Sequence, residues 1–387
     1  MHVVIIGSGI AGMSAARRIR QLSDHCVTVV SDEAPFHFSR PAMMYVSKGQ
    51  LTSDQIKPYP DAEWERLGVT MLQDRVLLID AASRACHLAS GTSLQADKII
   101  LATGSEPIVP EINCLASKAV ITYTRFSDIA RLEYELSRSR IIAIVGGGLI
   151  GSEVAEILHA KRKPFSWFIR EEGVYRSHLS REESDLITSH ITSFGVNIHL
   201  NEKLERSETL LNCELVVMCT GVKPRTELAQ LSAIHCDDGI CVNDRFETDI
   251  PGIYAVGDCA QTPWGTDQRW YAGKEHGEFV AEVICGNTAS FVQSVYCNSA
   301  KFFDLEWQVF GVVPASGVNT IYRTDDERCV RFAFDERGVL IGLQTLGIRL
   351  RQSICEDWIR RKVPVEDAMK NFSQARFDPE FTSRIAL

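Results

Sequence analysis

The chain has 387 residues, of which 45% are hydrophobic, and it carries a formal net charge of −9 and twelve cysteines. This length predicts two or three domains with a sizeable core, and the acidic balance argues against nucleic acid as the main partner. The longest apolar runs are too short for a membrane span, and the first predicted strand is too short for a signal peptide. Because cysteines at this density in a long chain do not form a disulfide framework, we expect a cytoplasmic protein.

The chain begins with the pattern of a buried parallel strand that leads into a glycine-rich turn and a helix. Residues 3–6 are apolar and β-branched, as in strands covered on both faces. The motif Gly-x-Gly-x-x-Gly follows, and between a strand and a helix it indicates dinucleotide binding, since helix N–H groups then face a pyrophosphate. The turn residues predicted to bind the cofactor are Gly7, Ser8, Gly9, Ile10, Ala11 and Gly12.

An acidic pair follows the second predicted strand, at residues 26–30. Asp32 and Glu33 both lie about 20 residues beyond the glycines, where an acid accepts hydrogen bonds from an adenosine ribose. The spacing does not choose between them, and a solvated acidic turn is the alternative interpretation.

An aromatic segment with one embedded cation, Arg40, occupies residues 35–45. It suits a flat ring system and a pyrophosphate, and it equally suits a plain packed loop. Residues 74–98 predict a small antiparallel excursion, after which residues 99–101 form another buried strand. This strand ends at a turn of small residues, namely Ala102, Thr103 and Gly104.

The same succession of strand, glycine turn and helix then occurs a second time. Residues 140–145 are the second strand of this type, and residues 215–224 repeat the pattern of residues 99–107. Two copies in the same order, each with the expected flanks, predict two nucleotide-binding units. The residues predicted to bind the second dinucleotide are Gly146, Gly148, Leu149, Ile150 and Gly151, with Thr220 and Gly221 after the later strand.

Two arginines stand near the end of the predicted strand 166–169 of the second unit. Arg170 follows the strand directly, and Arg176 lies six residues further on. An arginine at this place binds a 2′-phosphate, whereas an acid favours a free 2′-hydroxyl. Glu171 and Glu172 are also present, so NADPH is favoured only slightly over NADH. The alternative is that Arg170 pairs with these glutamates on the surface.

The last strong signal is a strand that ends in Gly257-Asp258, where the carboxylate can accept hydrogen bonds from a polyol chain. Residues 272–285 then predict a helix with Trp270 at its entrance. From about residue 295 the pattern changes to antiparallel strands at 301–310 and 329–334, a hairpin turn at 335–338 and a helix at 349–362.

We therefore expect an α/β fold with two Rossmann-like dinucleotide-binding domains of three layers (β/β/α), the second inserted in the first, and a small C-terminal α+β domain. The expected boundaries are 1–112 with 236–292 for the first domain, 113–235 for the inserted domain and 293–387 for the third.

Together with Ser39-Arg40-Pro41, these motifs resemble those of the FAD-dependent pyridine nucleotide oxidoreductases, in particular the branch of NADH:rubredoxin and ferredoxin reductases and the nitrite reductase flavin domain. The resemblance implies that the first unit binds FAD and the second NAD(P)H. It places Arg40, Asp258 and the backbone at Val76 beside FAD, and Glu153 beside the nicotinamide and flavin as the candidate catalytic residue. Trp270 completes the predicted cofactor-binding set, and His276 is a weaker candidate.

Cysteine positions distinguish the branches of this family. Disulfide reductases carry a Cys-x4-Cys pair in the region of residues 36–48, and the single-cysteine branch has its thiol about where Pro41 stands. Residues 36–48 contain no cysteine. The pair Cys236 and Cys241 spans an Asp-Gly turn and is expected not to be a redox pair. Cys213, Cys219 and Cys259 are expected in the core, and no Cys/His cluster has metal-ligand spacing.

The resemblance implies that hydride passes from NAD(P)H to FAD and that electrons then pass directly to an external acceptor, either a ferredoxin- or rubredoxin-like protein or a quinone. Two alternatives stay open: an NAD(P)H-sensing flavoprotein similar to apoptosis-inducing factor, and an electron-input subunit of a larger complex. A homodimer is compatible with the third domain. A basic patch for an acidic acceptor, or else a solvated helix face, is predicted at Arg349, Arg351, Arg360, Arg361 and Lys362.

Overall fold

The computed structural model describes residues 1–110, 118–202, 212–317, 319–325 and 327–377. The strands of this part of the chain are β1 (His2–Ile6), β2 (Cys26–Ser31), β3 (Val69–Gln73), β4 (Val76–Asp80), β5 (Ala85–Leu88), β6 (Ser93–Gln95), β7 (Lys98–Leu101), β8 (Ser105–Pro107), β9 (Ala119–Ile121), β10 (Ile142–Val145), β11 (Phe165–Phe168), β12 (Asn197–His199), β13 (Leu215–Met218), β14 (Val222–Pro224), β15 (Ile240–Cys241), β16 (Ile253–Ala255), β17 (Ala260–Thr262), β18 (Gly265–Thr266), β19 (Cys297–Phe302), β20 (Leu305–Gly311), β21 (Thr320–Thr324), β22 (Cys329–Phe334) and β23 (Leu340–Leu346).

The helices described are α1 (Ile10–Leu22), α2 (Met43–Ser47), α3 (Asp61–Arg66), α4 (Ser127–Arg138), α5 (Leu149–Ala160), α6 (Arg181–Ser193), α7 (Glu227–Leu231), α8 (Trp270–Ile284), α9 (Gln352–Arg360), α10 (Val365–Lys370) and α11 (Phe372–Ala375). Within the described ranges, no helix combines the length and the apolar character that crossing a membrane requires.

The chain divides into two compact units. The first comprises Met1–Ile108, Thr124–Glu133 and Val222–Val292, and the second comprises Val109–Tyr123, Tyr134–Gly221 and Gln293–Leu387. The α/β class with parallel sheets is as predicted, whereas the three domain boundaries stay a prediction.

The first unit is built on a five-stranded parallel sheet in the order β16-β7-β1-β2-β3. Strand β1 is central, and its Val3 pairs with Val27 of β2 and Lys98 of β7. The antiparallel sheet β4-β5-β6 contributes Ile79 to the same core. Helices α1 and α8 approach so closely that a β-carbon at Gly277 would lie 2.1 Å from the carbonyl oxygen of Ala11.

The second unit contains a five-stranded parallel sheet in the order β12-β11-β10-β13-β9. Its central strand β10 begins two residues later than the predicted strand, because the N–H of Arg140 donates to the Glu214 carboxylate at 2.5 Å instead of to a neighbouring strand. Trp167 and Phe168 of β11 are fully buried, so the continuous apolar pattern of these strands reflects cover on both faces.

The second unit also contains an antiparallel sheet in the order β19-β20-β23-β22-β21, against which α9 packs. The predicted strand 301–310 was wrong in one respect, since it contains the tight turn between β19 and β20. Phe303 adopts a φ of +63° there, a conformation that sequence periodicity does not signal. The predicted turn at 335–338 is present, with the Gly338 N–H donating to the Asp335 carbonyl at 2.9 Å.

Candidate dinucleotide-binding sites

The first glycine turn requires glycine at two positions for steric reasons. Gly7 has a φ of +116°, and a β-carbon there would lie 2.1 Å from the carbonyl oxygen of Ala102. A β-carbon at Gly12 would lie equally close to the Gly7 carbonyl oxygen. By contrast, a β-carbon at Gly9 would meet no atom within 4 Å, so the backbone at Gly9 borders open space.

Helix α1 begins at this open space with its N–H groups available. Gly9 is the N-cap, no side chain caps the helix, and the first turn has no acidic residue. The N–H groups and the positive end of the helix dipole therefore favour an anion beside Ile10 and Ala11. Ser8 is buried behind the turn, where its hydroxyl donates to the Ser31 hydroxyl at 2.9 Å.

A buried histidine also supports the turn and was not recognised as a site residue from the sequence. The Nδ1–H of His37 donates to the Ser8 carbonyl at 2.8 Å. Burial lowers the pKa of His37, so that its ring is neutral at pH 7.

The two acids after β2 are both held by arginines. The Arg40 guanidinium donates to the two oxygens of Glu33 at 2.8 and 2.7 Å, and the Phe126 N–H donates to Glu33 at 2.9 Å. Arg125 contacts Asp32 at 2.9 Å. Burial by itself would raise the pKa of Glu33, but the Arg40 and Phe126 hydrogen bonds outweigh it and hold that pKa below its ordinary value. Glu33 is therefore the more firmly positioned carboxylate of the pair.

The segment Thr124–Phe126 belongs to this site although it is distant in sequence. The Arg40 guanidinium also donates to the Thr124 carbonyl. The Phe126 ring packs 5.2 Å from Phe36 and 5.1 Å from Phe38. The aromatic segment 35–45 is thus, in part, a packed loop, and Arg40 extends from it to the acid at the end of β2.

Asp258 lies in a short turn after β16, beside a hydroxyl donor. The Ser105 hydroxyl donates to Asp258 Oδ2 at 2.8 Å. Burial raises the pKa of Asp258 to about 6, although Ser105 and Arg40 act in the opposite direction. A half-buried carboxylate in this state is stabilised by further hydroxyl donors, which a ribityl chain supplies.

His276 lies beneath this turn in the core, 4% exposed. The Gly257 N–H donates to His276 Nδ1 at 3.4 Å, and burial lowers the pKa of His276 to about 4. His276 therefore acts as a neutral acceptor that holds the Asp258 turn.

The remaining predicted residues of the first unit lie after β7, on β4 and at the start of α8. Ala102, Thr103 and Gly104 follow β7, and the Thr103 hydroxyl donates to the Arg225 carbonyl at 2.8 Å. Val76 is buried at the start of β4, and Trp270 begins α8, with its ring 5.5 Å from that of Tyr271.

The second glycine turn repeats the geometry of the first. Gly146 has a φ of +113°, and a β-carbon there would lie 2.2 Å from the Cys219 carbonyl oxygen. A β-carbon at Gly151 would lie 2.1 Å from the Gly146 oxygen, whereas one at Gly148 would meet nothing. Gly148 is the N-cap of α5, whose first turn, containing Leu149 and Ile150, has no acid.

Two further features adjoin this turn. The indole N–H of Trp167 donates to the Gly146 carbonyl at 2.9 Å, a support that sequence reasoning missed. Thr220 and Gly221 follow β13, and Gly221 has a φ of +105°.

On α5, burial and the neighbouring Glu156 raise the pKa of Glu153 to about 8, so that Glu153 is a neutral acid at pH 7.

The two candidate 2′-phosphate arginines lie in the segment between β11 and α6. Arg170 donates to Glu171 at 2.8 Å and its side chain is 79% exposed. Arg176 donates to Glu172 at 2.8 Å and to the Leu179 carbonyl at 2.7 Å. Each arginine therefore pairs with a neighbouring glutamate, as the alternative interpretation stated for Arg170.

The described cysteines are free thiols, and Cys114 lies outside the described residues. Burial raises the pKa of Cys236 to about 11, and it raises the pKa values of Cys241 and Cys259 as well. Raised pKa values disfavour the thiolate that redox chemistry requires. Burial has the same effect on the pKa values of Cys86, Cys213, Cys219, Cys329 and Cys355.

The predicted basic patch is largely neutralised by neighbouring acids. Arg349 pairs with Glu306 at 2.6 Å, Arg360 pairs with Glu356 at 2.6 Å, and Arg361 contacts Asp357 at 3.2 Å. These contacts favour the solvated-face interpretation for the residues around α9.

The residues of the first unit fit FAD. The glycine turn opens onto free space, and the helix N–H groups that follow it have no capping side chain. Asp258 supplies a half-buried carboxylate beside the Ser105 hydroxyl. Two such turns, each at the carboxyl end of a parallel sheet, define a protein with two dinucleotide sites. Residues 1–277 match the family described as pyridine nucleotide-disulphide oxidoreductase, and the chain belongs to this family. It is an FAD-dependent oxidoreductase of NAD(P)H.

Relatives with named activities are moderately similar. The chain is 29% identical to an NAD(P)H coenzyme A polysulfide/persulfide reductase of Pyrococcus horikoshii. The match spans 330 residues and covers 79% of this chain and 74% of the relative. It is 27% identical to a nitric oxide reductase FlRd-NAD(+) reductase of Salmonella agona. This match spans 275 residues and covers 67% of this chain and 72% of the relative. The fold matches that of NADH:rubredoxin oxidoreductase from Clostridium acetobutylicum with a TM-score of 0.81 at 21% identity, over 96% and 99% of the two chains.

Proposed function

We propose that this chain is a reductase that oxidises NAD(P)H and passes electrons directly to an external acceptor, either a small iron–sulfur protein or a quinone, without a cysteine relay. The observation that carries the proposal is the absence of cysteine from residues 36–48. Arg40–Ala42 and α2 occupy this region, with Met43 and Met44 buried. Relatives named for flavorubredoxin and rubredoxin support a protein acceptor.

FAD, when bound, supplies a ring that accepts hydride and releases electrons singly. The chain's own residues bind and orient the two dinucleotides, with the N–H groups at Gly9 and Gly148 toward the pyrophosphates. Glu33 accepts ribose hydroxyls on the FAD side, and Asp258 accepts hydroxyls of the ribityl chain. Glu153, protonated at pH 7, orients the nicotinamide carboxamide as a neutral hydrogen-bonding group.

We also propose NADPH as the slightly preferred nucleotide, because Arg170 and Arg176 both lie in the segment after β11. Replacing Arg170 by Glu and Arg176 by Ala removes two cations that a 2′-phosphate requires. The KM for NADPH should rise about 30-fold, since two charge-assisted hydrogen bonds are lost, and the KM for NADH should change less than about threefold. Equal responses of the two nucleotides would contradict the 2′-phosphate assignment.

A second candidate, a thiol-dependent persulfide reductase, is favoured by the name of the Pyrococcus relative. Alkylation of the FAD-loaded enzyme with N-ethylmaleimide distinguishes the two. Among the described cysteines, Cys26 is the exposed one and is expected to react first, so a Cys26→Ser variant serves as the matched control. For direct transfer we expect NADPH-to-ferricyanide activity to stay within about twofold after alkylation. Loss of flavin reduction on modification of one thiol would instead support the relay.

A slow, sensing flavoprotein predicts a different outcome from a reductase. Stopped-flow reduction by NADPH followed by mixing with ferricyanide or a ferredoxin should give rapid reoxidation. Reduced flavin that persists in air and in the presence of these acceptors would favour the sensing role.

The free thiols of the described cysteines support a cytoplasmic location as part of the proposal.

A further inference from the structure

We propose that the C-terminal antiparallel sheet positions the nucleotide-binding segment 169–180, and that Tyr175 is the positioning residue that links them. This inference deepens the proposed function, because it rests on Arg170 and Arg176 binding the 2′-phosphate of NADPH. It gives the C-terminal sheet a part in nucleotide recognition in addition to any role in acceptor docking or dimer formation.

Tyr175 is fixed on two sides. Its backbone has a φ of +55°, and its N–H donates to the Gly147 carbonyl, within the second glycine turn, at 2.7 Å. Tyr175 is 6% exposed, and its ring packs edge-to-face on Trp307 of β20 at 5.3 Å and in a tilted arrangement on Phe302 of β19 at 5.6 Å. One residue therefore joins the glycine turn to the antiparallel sheet.

Helix α6 fixes the residue before Tyr175. The Ser184 hydroxyl donates to the Val174 carbonyl at 2.7 Å, and the Val174 N–H donates to the Thr188 hydroxyl at 3.0 Å. A β-carbon at Gly173 would lie 2.3 Å from the Ser184 oxygen, so the segment also lies closely against the helix. The backbone next to Tyr175 is held by specific hydrogen bonds, and any shift of α6 shifts the segment.

The start of α6 is in turn anchored in the same sheet by a buried carboxylate. Glu183 forms an ion pair with Arg331 of β22 at 2.9 Å and accepts a hydrogen bond from Gln344 of β23 at 2.5 Å. The Glu183 and Arg331 side chains are 1% and 5% exposed. Glu183 also accepts the Ser180 N–H at 2.9 Å, which completes a capping box at the end of the segment.

Arg176 lies between these two anchors. It follows Tyr175 directly, and its guanidinium donates to the Leu179 carbonyl at 2.7 Å, one residue before Ser180. The backbone of Arg176 is therefore held by the Tyr175 ring on one side and by the α6 start on the other, and its guanidinium also donates to Glu172 at 2.8 Å. Because a charge-assisted hydrogen bond to a phosphate depends on the orientation of the guanidinium, release of either anchor should weaken 2′-phosphate binding selectively.

The test compares binding of 2′,5′-ADP and 5′-AMP to the FAD-loaded enzyme by isothermal titration calorimetry. Tyr175→Asn removes the ring but keeps a residue that tolerates a positive φ, whereas Tyr175→Phe keeps the ring packing. We expect Tyr175→Asn and Trp307→Leu to weaken 2′,5′-ADP binding about tenfold and 5′-AMP binding less than about threefold. Tyr175→Phe should match the wild type, and kcat at saturating NADPH should stay unchanged in all three variants.

Phe372→Leu is the matched control for general loss of packing in the C-terminal domain. Phe372 is buried and packs on Phe332 at 5.6 Å, in the same domain as Trp307. It should lower the unfolding temperature without changing 2′,5′-ADP binding. The inference is overturned if Tyr175→Asn binds 2′,5′-ADP as the wild type does, or if Phe372→Leu weakens binding equally.

An Arg176→Ala variant separates this inference from the proposed nucleotide preference. If Arg176→Ala weakens 2′,5′-ADP binding and Tyr175→Asn does not, the positioning role alone is rejected. If Arg176→Ala has no effect on 2′,5′-ADP binding, Arg176 does not bind the 2′-phosphate and the positioning role is rejected. The proposed NADPH preference is wrong as well if Arg170→Ala also has no effect.

Discussion

Arg40 and Glu33 form a two-pronged ion pair, in which the two terminal guanidinium nitrogens of Arg40 donate to the two carboxylate oxygens at 2.8 and 2.7 Å. The Glu33 side chain is 16% exposed, and the pair lies at the carboxyl end of β2. The arginine thereby fixes the orientation of the acid that we propose accepts the adenosine ribose hydroxyls of FAD.

Replacing Arg40 by Lys tests this positioning. Lysine keeps the charge but loses the planar fork, so Glu33 should be less well oriented and FAD should bind about tenfold more weakly. The measurement is the FAD dissociation constant from flavin fluorescence. Arg66→Lys is the control, because Arg66 forms the same two-pronged contact with Glu63 at 2.7 Å on exposed α3. FAD loss of equal size in both variants would contradict the assignment.

The glycines of the first turn predict two separable effects. Gly9 has a φ of −70° and open space around its missing β-carbon, so Gly9→Ala should fold normally. FAD content should nevertheless fall, since the added methyl group occupies the space at the N-terminus of α1. Gly12→Ala should lower the unfolding temperature instead, because its β-carbon would clash with the Gly7 carbonyl.

Absorbance at 450 nm per mole of protein and thermal unfolding of the FAD-free protein separate these outcomes. Normal flavin content in Gly9→Ala would show that the pyrophosphate lies elsewhere. Gly148→Ala should repeat the pattern for NAD(P)H, with flavin content unchanged.

Glu153 predicts a pH-dependent stability. Its folded-state pKa is raised to about 8 from an ordinary value of 4.5, so the native state retains a proton that the unfolded chain releases. The contribution is complete below pH 4.5 and is lost as the pH rises through 8. Glu153→Gln should therefore be more stable than the wild type by about 2–5 °C at pH 8 and similar to it near pH 5.

Thermal unfolding of both proteins from pH 5 to pH 9 checks the Glu153 prediction. Glu156→Gln removes the smaller of the two causes of the raised pKa, so it should retain most of the pH dependence of the wild type, because burial of Glu153 is the larger cause. Parallel curves for the wild type and Glu153→Gln would mean that Glu153 has an ordinary pKa.

The Glu183–Arg331 pair predicts a large asymmetry between single and double variants. Arg331→Met leaves the buried Glu183 carboxylate without its counterion and should cost about 3–5 kcal/mol in the free energy of unfolding. The double variant Glu183→Leu with Arg331→Met removes both charges and should recover most of this loss. Urea denaturation provides the measurement.

The exposed pair of Arg360 with Glu356 supplies the comparison for the buried ion pair. Its contact distance is 2.6 Å, but the arginine side chain is 58% exposed. Arg360→Met should therefore cost less than about 1 kcal/mol. A double variant of Glu183 and Arg331 as unstable as the single variant would indicate that the pair is required for the fold itself.

The features that sequence predicted are those that depend on local chemistry. The glycine turns at residues 7–12 and 146–151 have the strand and helix flanks that the motif requires, because each is specified within about twenty consecutive residues. The α/β class is confirmed for the same reason, since short apolar runs alternate with helices. The roles of single residues in these turns stay predictions.

The contacts that sequence did not predict join segments without a shared pattern. Phe126 donates to Glu33 from more than 90 positions away, and Trp167 donates to Gly146 through an indole that reads as an ordinary core residue. His276 was only a weaker candidate for the flavin site, and in the structure it lies in the core, where it accepts a hydrogen bond from the Gly257 N–H. Such pairings depend on how the strands are ordered in the sheet, which periodicity does not encode.

The first unit is discontinuous in sequence, because β16 and α8 complete a sheet and a helix pair that begin with β1 and α1. During synthesis, residues 134–221 leave the ribosome before Asp258 and Gly277 exist. Until then, the first unit lacks its edge strand β16 and the helix α8 that packs on α1, so it cannot complete its fold. We expect flavin uptake to be a late event in biogenesis, which makes the nascent chain more vulnerable to proteolysis than the finished holoenzyme.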